Sequence, residues 1–122
     1  MRLPAIFIQM EVMKATYSNC IKACQQCSVA CQECLAAMAG KESNTDCPLC
    51  CELCMDSCLV AVKFMAADNE FAIDYCKACM DVCAWCAEQC MKHDERHCRE
   101  CAEFCLRSIE QCRKVVLEGD MV

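Results

Sequence analysis

Apolar and polar positions follow one another along most of this chain in steps of three and four, and the residue that marks the apolar face is cysteine. A first group holds Cys20, Cys24, Cys27, Cys31 and Cys34, and a second holds Cys47, Cys50, Cys51, Cys54 and Cys58. A third holds Cys76, Cys79, Cys83, Cys86 and Cys90, and the last holds Cys98, Cys101, Cys105 and Cys112. Such steps keep side chains on one face of an α-helix, whereas a half-buried strand needs a step of two. Each group is therefore a helical stripe. The unit C-x3-C-x2-C-x3-C begins at Cys20, Cys47, Cys79 and, with Ser108 in its third slot, Cys101, so one unit recurs on every helix.

The boundaries agree with four helices, over about residues 5–39, 46–66, 69–92 and 95–118 of a single domain spanning 1–122. Gly40 ends the first, and the polar run from Lys41 to Asp46 precedes Cys47-Pro48, where proline is acceptable only in a first turn. Asp68 or Asn69 is the expected cap of the third helix, and Asp94 that of the fourth. All three connections are short, which makes consecutive helices antiparallel neighbours. The fold class is all-α, an up-down-up-down four-helix bundle with a cysteine-lined core.

The stripes distinguish the two ends. Beyond the cysteines, Met10, Met13 and Tyr17 extend the first helix to the same end as Ala61 and Met65 of the second. Phe71, Ala72 and Ile73 of the third and Val115, Val116 and Leu117 of the fourth meet them there as an ordinary apolar plug. The opposite end gathers Met38, Cys47, Cys50, His93 and His97, groups with a thiol or a lone pair to offer. Trp85 falls two places after Cys83, at an outward position without an evident partner, and is read as part of an interface between copies of the chain.

Composition narrows the chemistry. Lys and Arg number 12 against 18 Asp and Glu, a net charge of −6, and the basic residues are scattered. Neither nucleic acid nor an anionic membrane surface is an expected partner. The start, Met1-Arg2-Leu3-Pro4-Ala5-Ile6-Phe7-Ile8, is too short an apolar run for an export signal or a membrane span. Nineteen is also an odd number of thiols. Both features point to a reducing, cytoplasmic setting. With 2 Gly and 2 Pro the chain also lacks the loops of a disulfide-stapled miniprotein.

A column of thiols is a poor filling in itself. Helix bundles are packed by Leu, Ile and Val, and cysteine at nearly every inward position forfeits buried area at each. Disulfides fit badly, because pairs on one helix have parallel Cα–Cβ vectors and pairs across helices start too far apart. Metal remains, and dense thiolate with few other donors selects Cu(I) ahead of Zn(II) and iron–sulfur clusters. Charge favours copper further. Zn(II) in four thiolates carries −2, and no Lys or Arg lies on the stripes to offset a row of such sites. Cu(I) with every sulfur bridging two ions is neutral, which predicts on the order of 19 Cu(I) per chain.

Other motifs carry less weight. Cys47-Pro48-Leu49-Cys50 has the form of a thiol-redox motif without its βαβ surroundings, and is read as a pair of partly ionised ligands at a helix start. Iron–sulfur ligation usually draws on loops such as C-x2-C-x2-C, which are missing. There is no nucleophilic triad or phosphate loop, so a binding protein is expected and not an enzyme. A zinc or general soft-metal sink, or a metallochaperone, is the alternative.

The four cysteine stripes, Asp46-Cys47-Pro48, and His93 with His97-Cys98-x2-Cys101-Ala102-Glu103-x-Cys105 resemble the bacterial copper storage proteins over about residues 15–115. The missing leader resembles their cytosolic branch. The resemblance implies a four-helix bundle filled with Cu(I) thiolates, often a tetramer, that holds copper for later use or keeps it harmless. It also implies that copper passes in at an open end bearing His or Met, here the end of Met38, His93 and His97. Ser108 departs from the repeat. A hydroxyl binds Cu(I) poorly, and a local defect in the row of ions is expected beside it.

Overall fold

The computed structural model describes residues 4–120, apart from the Gln9 side chain. Met1, Arg2 and Leu3, which open the short apolar run, and Met121 and Val122 lie outside the described residues. Four helices make up the chain: α1 Ala5–Met38, α2 Leu49–Ala66, α3 Ala72–Met91 and α4 Arg96–Asp120. α1 packs on α2 and α4, and α3 packs on the same two, so the helices form a square ring with chain neighbours side by side.

Local chemistry explains where the helices begin and end. Gly40 takes φ +76°, a left-handed conformation that glycine adopts without penalty, and α1 stops just before it. α2 starts at Leu49 and not at 46, because the first amides that can close a turn onto it come after Pro48. Cys50 N–H donates to the Asp46 carbonyl at 2.8 Å and Cys51 N–H to that of Pro48 at 3.0 Å. α3 starts at Ala72 and not at 69. Asp68 sits at φ 49°, and Asn69 uses its side chain to accept from Phe71 N–H at 2.9 Å, closing a turn that precedes the helix. At α4 the carbonyl of Glu95 takes the amides of Cys98 and Arg99, so the expected Asp94 cap is replaced by backbone closure one residue on.

Packing relies on small residues. Ala23 and Ala30 of α1, Ala87 of α3 and Ala102 of α4 are buried beside the stripes and let the helices approach. The plug is narrower than the sequence suggests. Tyr17, Ala61, Met65, Ala72 and Val115 are buried, and Met13, Ile73 and Val116 pack against them. Met10 and Leu117 are exposed, since α1 and α4 run on past the region where four helices surround an interior, and Phe71 is exposed in the turn before α3. Gly119 is a close-approach position: a Cβ there would meet the end of the Ile73 side chain, so the end of α4 lies close to the start of α3. Exposed pairs such as Arg96–Glu100 and Arg107–Glu103 mark the solvated faces. No helix among the described residues is long and apolar enough to cross a membrane.

Candidate metal centre

All nineteen cysteines are free and buried, and their sulfurs run along the bundle axis. Near the middle, Cys27 lies 3.8 Å from Cys54 and 3.6 Å from Cys105, and Cys54 lies 3.6 Å from Cys83. One layer on, Cys51 meets Cys90 and Cys101 at 3.8 Å each, and Cys31 meets Cys101 at 3.6 Å. Contacts such as Cys51–Cys101 and Cys54–Cys105 join diagonal helices, so the thiols meet on the axis itself. Within one helix, Cys20 lies 4.0 Å from Cys24 and Cys79 lies 3.8 Å from Cys83. The groups of sulfurs within 4.8 Å of one another combine same-helix pairs, Cys27 with Cys31 and Cys54 with Cys58 among them, with thiols of facing helices.

These distances suit an ion between sulfurs. Separations of 3.4 to 4.0 Å are well beyond a disulfide bond of about 2.05 Å. They fall slightly short of the roughly 4 to 5 Å spanned by two sulfurs on one soft ion, a difference small side-chain rotations supply. Groups of four sulfurs that could hold a metal overlap: Cys27, Cys31, Cys54 and Cys105 form one, and Cys27, Cys54, Cys58 and Cys83 the next. Cys51 belongs to three such groups. Shared sulfurs are what bridging ions need, whereas isolated tetrahedral sites would need ligands of their own.

The end toward the start of α2 has its own polar structure. His97 Nδ1 lies 3.4 Å from the sulfurs of Cys34 and Cys98, and its Nε2 is buried without a hydrogen-bond partner among the described residues. Cys34 also meets Cys47 at 3.9 Å and Cys98 at 3.8 Å, so these three thiols and His97 form one cluster, with Met38 buried in the same core. His93 is elsewhere engaged. Its Nε2 is 2.7 Å from the Thr45 hydroxyl and 3.3 Å from that of Ser43, which tethers the α1–α2 loop to the end of α3.

Two further contacts hold that loop. Asp46 N–H donates to Oε1 of buried Gln89 at 3.0 Å, and Trp85 Nε1–H donates to the Asp46 carboxylate at 3.2 Å. Trp85 thus has a partner within the chain, contrary to the reading that left it only an interface. Sequence reasoning also missed Gln89 and Thr45. Both lie off the stripes and gain their roles only when the loop folds back.

The thiols at this end differ in acidity. Burial first, and then the nearby Cys34 and Cys50 sulfurs, push Cys47 up to about 12. The pair expected to be partly ionised at the helix start divides: Cys47 precedes Pro48, outside the first turn of α2, and is shut away from water, whereas hydrogen bonds from Cys51, Cys86 and Cys90 hold Cys50 well below the usual thiol range. Cys34 goes the other way. The Cys101 contact raises it, but hydrogen bonds from Cys51 and Cys90, with His97 beside it, outweigh that and hold it at about 6.

Comparison with known proteins places this architecture. The chain is 35% identical to the Cu(I)-bound copper storage protein BsCsp3, with a TM-score of 0.78 over 83% of this chain and 98% of that one. It is 26% identical to a cytosolic copper storage protein from Streptomyces lividans solved during copper loading with five coppers, with a TM-score of 0.79 over 88% and 97%. A cysteine-rich protein of Bacillus subtilis (strain 168), YhjQ, is 37% identical over 97 residues, 80% of this chain and 86% of its own. The family model described as "Copper storage protein" matches residues 13–117, a span that takes in every thiol of the column, and the chain belongs to that family.

Proposed function

We propose that this protein is a cytosolic Cu(I) store in which all nineteen cysteines are ligands, holding on the order of 19 ions per chain at one per bridging thiolate. The observation that carries this reading is the overlap of the four-sulfur groups. A row of separate Zn(II)–thiolate sites would place several net negative charges in a dry interior without a cation beside them, whereas bridged Cu(I) thiolate is neutral. Each ion that binds releases one proton from a thiol, so loading is an exchange and no bond of a substrate is made or broken. Storage by binding, not catalysis, is the role this supports.

Copper is taken up at the end bearing Cys34, Cys98 and His97, with Met38 behind them, and passes from sulfur to sulfur through the column. His93 serves this end indirectly, by holding the loop that carries Cys47. The exposed apolar residues at the start of α1, Ile6, Phe7 and Ile8 among them, support assembly into a homo-oligomer, a tetramer by likeness to the family. The cytosolic assignment follows the relative from Streptomyces lividans.

The test is an anaerobic titration of the reduced protein with Cu(I) against a competing chelator, counting ions and free thiols together. Tight uptake near one ion per cysteine, with helicity already complete beforehand, is the expected result. Saturation at one or two ions, or a few Zn(II) held more tightly than copper, overturns storage in favour of delivery or of a zinc protein.

A further inference from the structure

Deep in the column a metal ion meets almost nothing but sulfur, and the mouth is the exception. There His97 Nδ1 lies 3.4 Å from the sulfurs of both Cys34 and Cys98. Cys34 in turn meets Cys98 at 3.8 Å and Cys47 at 3.9 Å. Burial and Cys34 push the Cys98 thiol up, and Cys47 is near enough to add to that rise. One nitrogen and three sulfurs, carried by α1, the α1–α2 loop and α4, thus converge at this end of the bundle. The three thiols are shut away from water and His97 is half-buried above them. His93 stands apart, since its Nε2 is taken up by the Thr45 and Ser43 hydroxyls.

We infer that Cys34, Cys47, Cys98 and His97 form a site for one Zn(II) ion per chain, occupied while the column lacks copper and given up as copper enters. Three thiolates and one imidazole are a common tetrahedral set for Zn(II). With Zn–S bonds of about 2.3 Å and Zn–N bonds of about 2.0 to 2.1 Å, such a tetrahedron has S···S edges of about 3.8 Å and S···N edges of about 3.6 Å. The edges of 3.8, 3.9 and 3.4 Å seen here are close to those values. Sulfurs gather in fours elsewhere too, as at Cys47, Cys50, Cys51 and Cys90 beside this cluster. Charge decides between them. A divalent ion on four thiolates leaves a net −2 in a dry interior, whereas neutral imidazole in place of one thiolate leaves −1, at the end of the column. Binding sends three thiol protons to solvent and forms three Zn–S bonds and one Zn–N bond, with no change of oxidation state. Cu(I) is the softer ion and takes over the thiolates as it loads, so Zn(II) departs intact. Only that displacement rests on the storage reading, and the site itself needs no copper.

The experiment titrates reduced, metal-free wild-type protein without oxygen, first with Co(II) as an optical probe of tetrahedral zinc sites and then with Zn(II). The strong ligand-field bands of tetrahedral Co(II), with charge transfer from thiolate, should be complete at about one equivalent and vanish when about one equivalent of Zn(II) follows. X-ray absorption at the zinc edge should then count about three sulfurs and one nitrogen around the ion. His97→Ala and Cys98→Ser should each weaken Co(II) binding by more than the roughly 10- to 100-fold expected of a residue outside the ligand set, while Cys20→Ser, at the far end of the column, should bind as wild type does. Four sulfurs and no nitrogen at the ion, a signal that grows past about two equivalents without a break, or wild-type binding by His97→Ala overturns the inference. Should either mouth variant lose its helicity, the ligand count at the zinc edge of wild type decides alone. Cu(I) added to the Zn(II)-loaded protein should release the zinc by the time the column is full, as read by a chromophoric zinc chelator, and zinc retained at full copper loading overturns the displacement. A wild type that holds Zn(II) on three sulfurs and one nitrogen yet takes up only a few Cu(I) upholds the site and strikes instead at the storage reading.

Discussion

At the plug end the four helices meet through Met65, Ala61, Ala72 and Val115, whereas at the equivalent inward positions along the column and at the mouth they meet through thiols. The plug is filled in the ordinary way, and a fully buried Met or Val contributes about 1.5 to 3 kcal/mol. The column is not. Cysteine buries less apolar area, so the metal-free molecule draws its stability unevenly from its two ends. The comparison teaches a division of labour: one end keeps the bundle closed before metal arrives, and the other leaves its donors free of structural duty.

That division can be broken most severely at the plug. Met65→Ala should destabilise the metal-free protein by about 2 to 5 kcal/mol, measured by urea unfolding, and leave the number of ions bound at saturation unchanged. A fall in capacity to match the fall in stability would mean that the ends are not separable. A smaller effect comes from the mouth. Cys47 rises from the usual thiol value of 9.0 to about 12 on folding, so its neutral form favours the folded state. Its contribution is complete below about pH 9 and is lost as pH rises through 12. Metal-free wild type should lose stability over that interval, and Cys47→Ala should lose less, as followed by unfolding at each pH. The smallest thermodynamic effect is expected at His97. His97→Ala should slow copper loading by about tenfold, roughly 1.4 kcal/mol in the barrier, while capacity and stability stay near wild type. Equal loading rates in stopped-flow would move the way in to another part of the molecule.

Much of this was legible in the chain. Steps of three and four between cysteines gave four helices, and the lone Gly40 gave the end of α1, because both are local consequences of backbone geometry. The starts of α2 and α3 were read three residues early. There the polar run was taken for capping side chains, whereas Asp46 and Pro48 act through their carbonyls and Asn69 closes a separate turn. Among the site residues, the cysteines were visible because they repeat. His93 and His97 looked alike in sequence and part company only in space, where one faces hydroxyls of the loop and the other faces sulfurs. Trp85 shows the same limit, since its partner Asp46 is 39 residues away and nothing near it announces the pairing.

The repeating unit has one more consequence, for how the helices find their alignment. Sliding one helix by seven residues, about 10.5 Å, would again set thiol against thiol, because the unit is nearly the same at either step. An interior made of one small side chain cannot tell these registers apart by shape. The large residues of the plug can, and Ile73 lies against Gly119 where α3 begins and α4 ends. The plug is thus a phase marker for an otherwise degenerate lattice. Copper that arrived before the plug had closed would crosslink whichever register it met, and so the order of events, alignment first and metal afterwards, is written into a few apolar residues at the end farthest from the mouth.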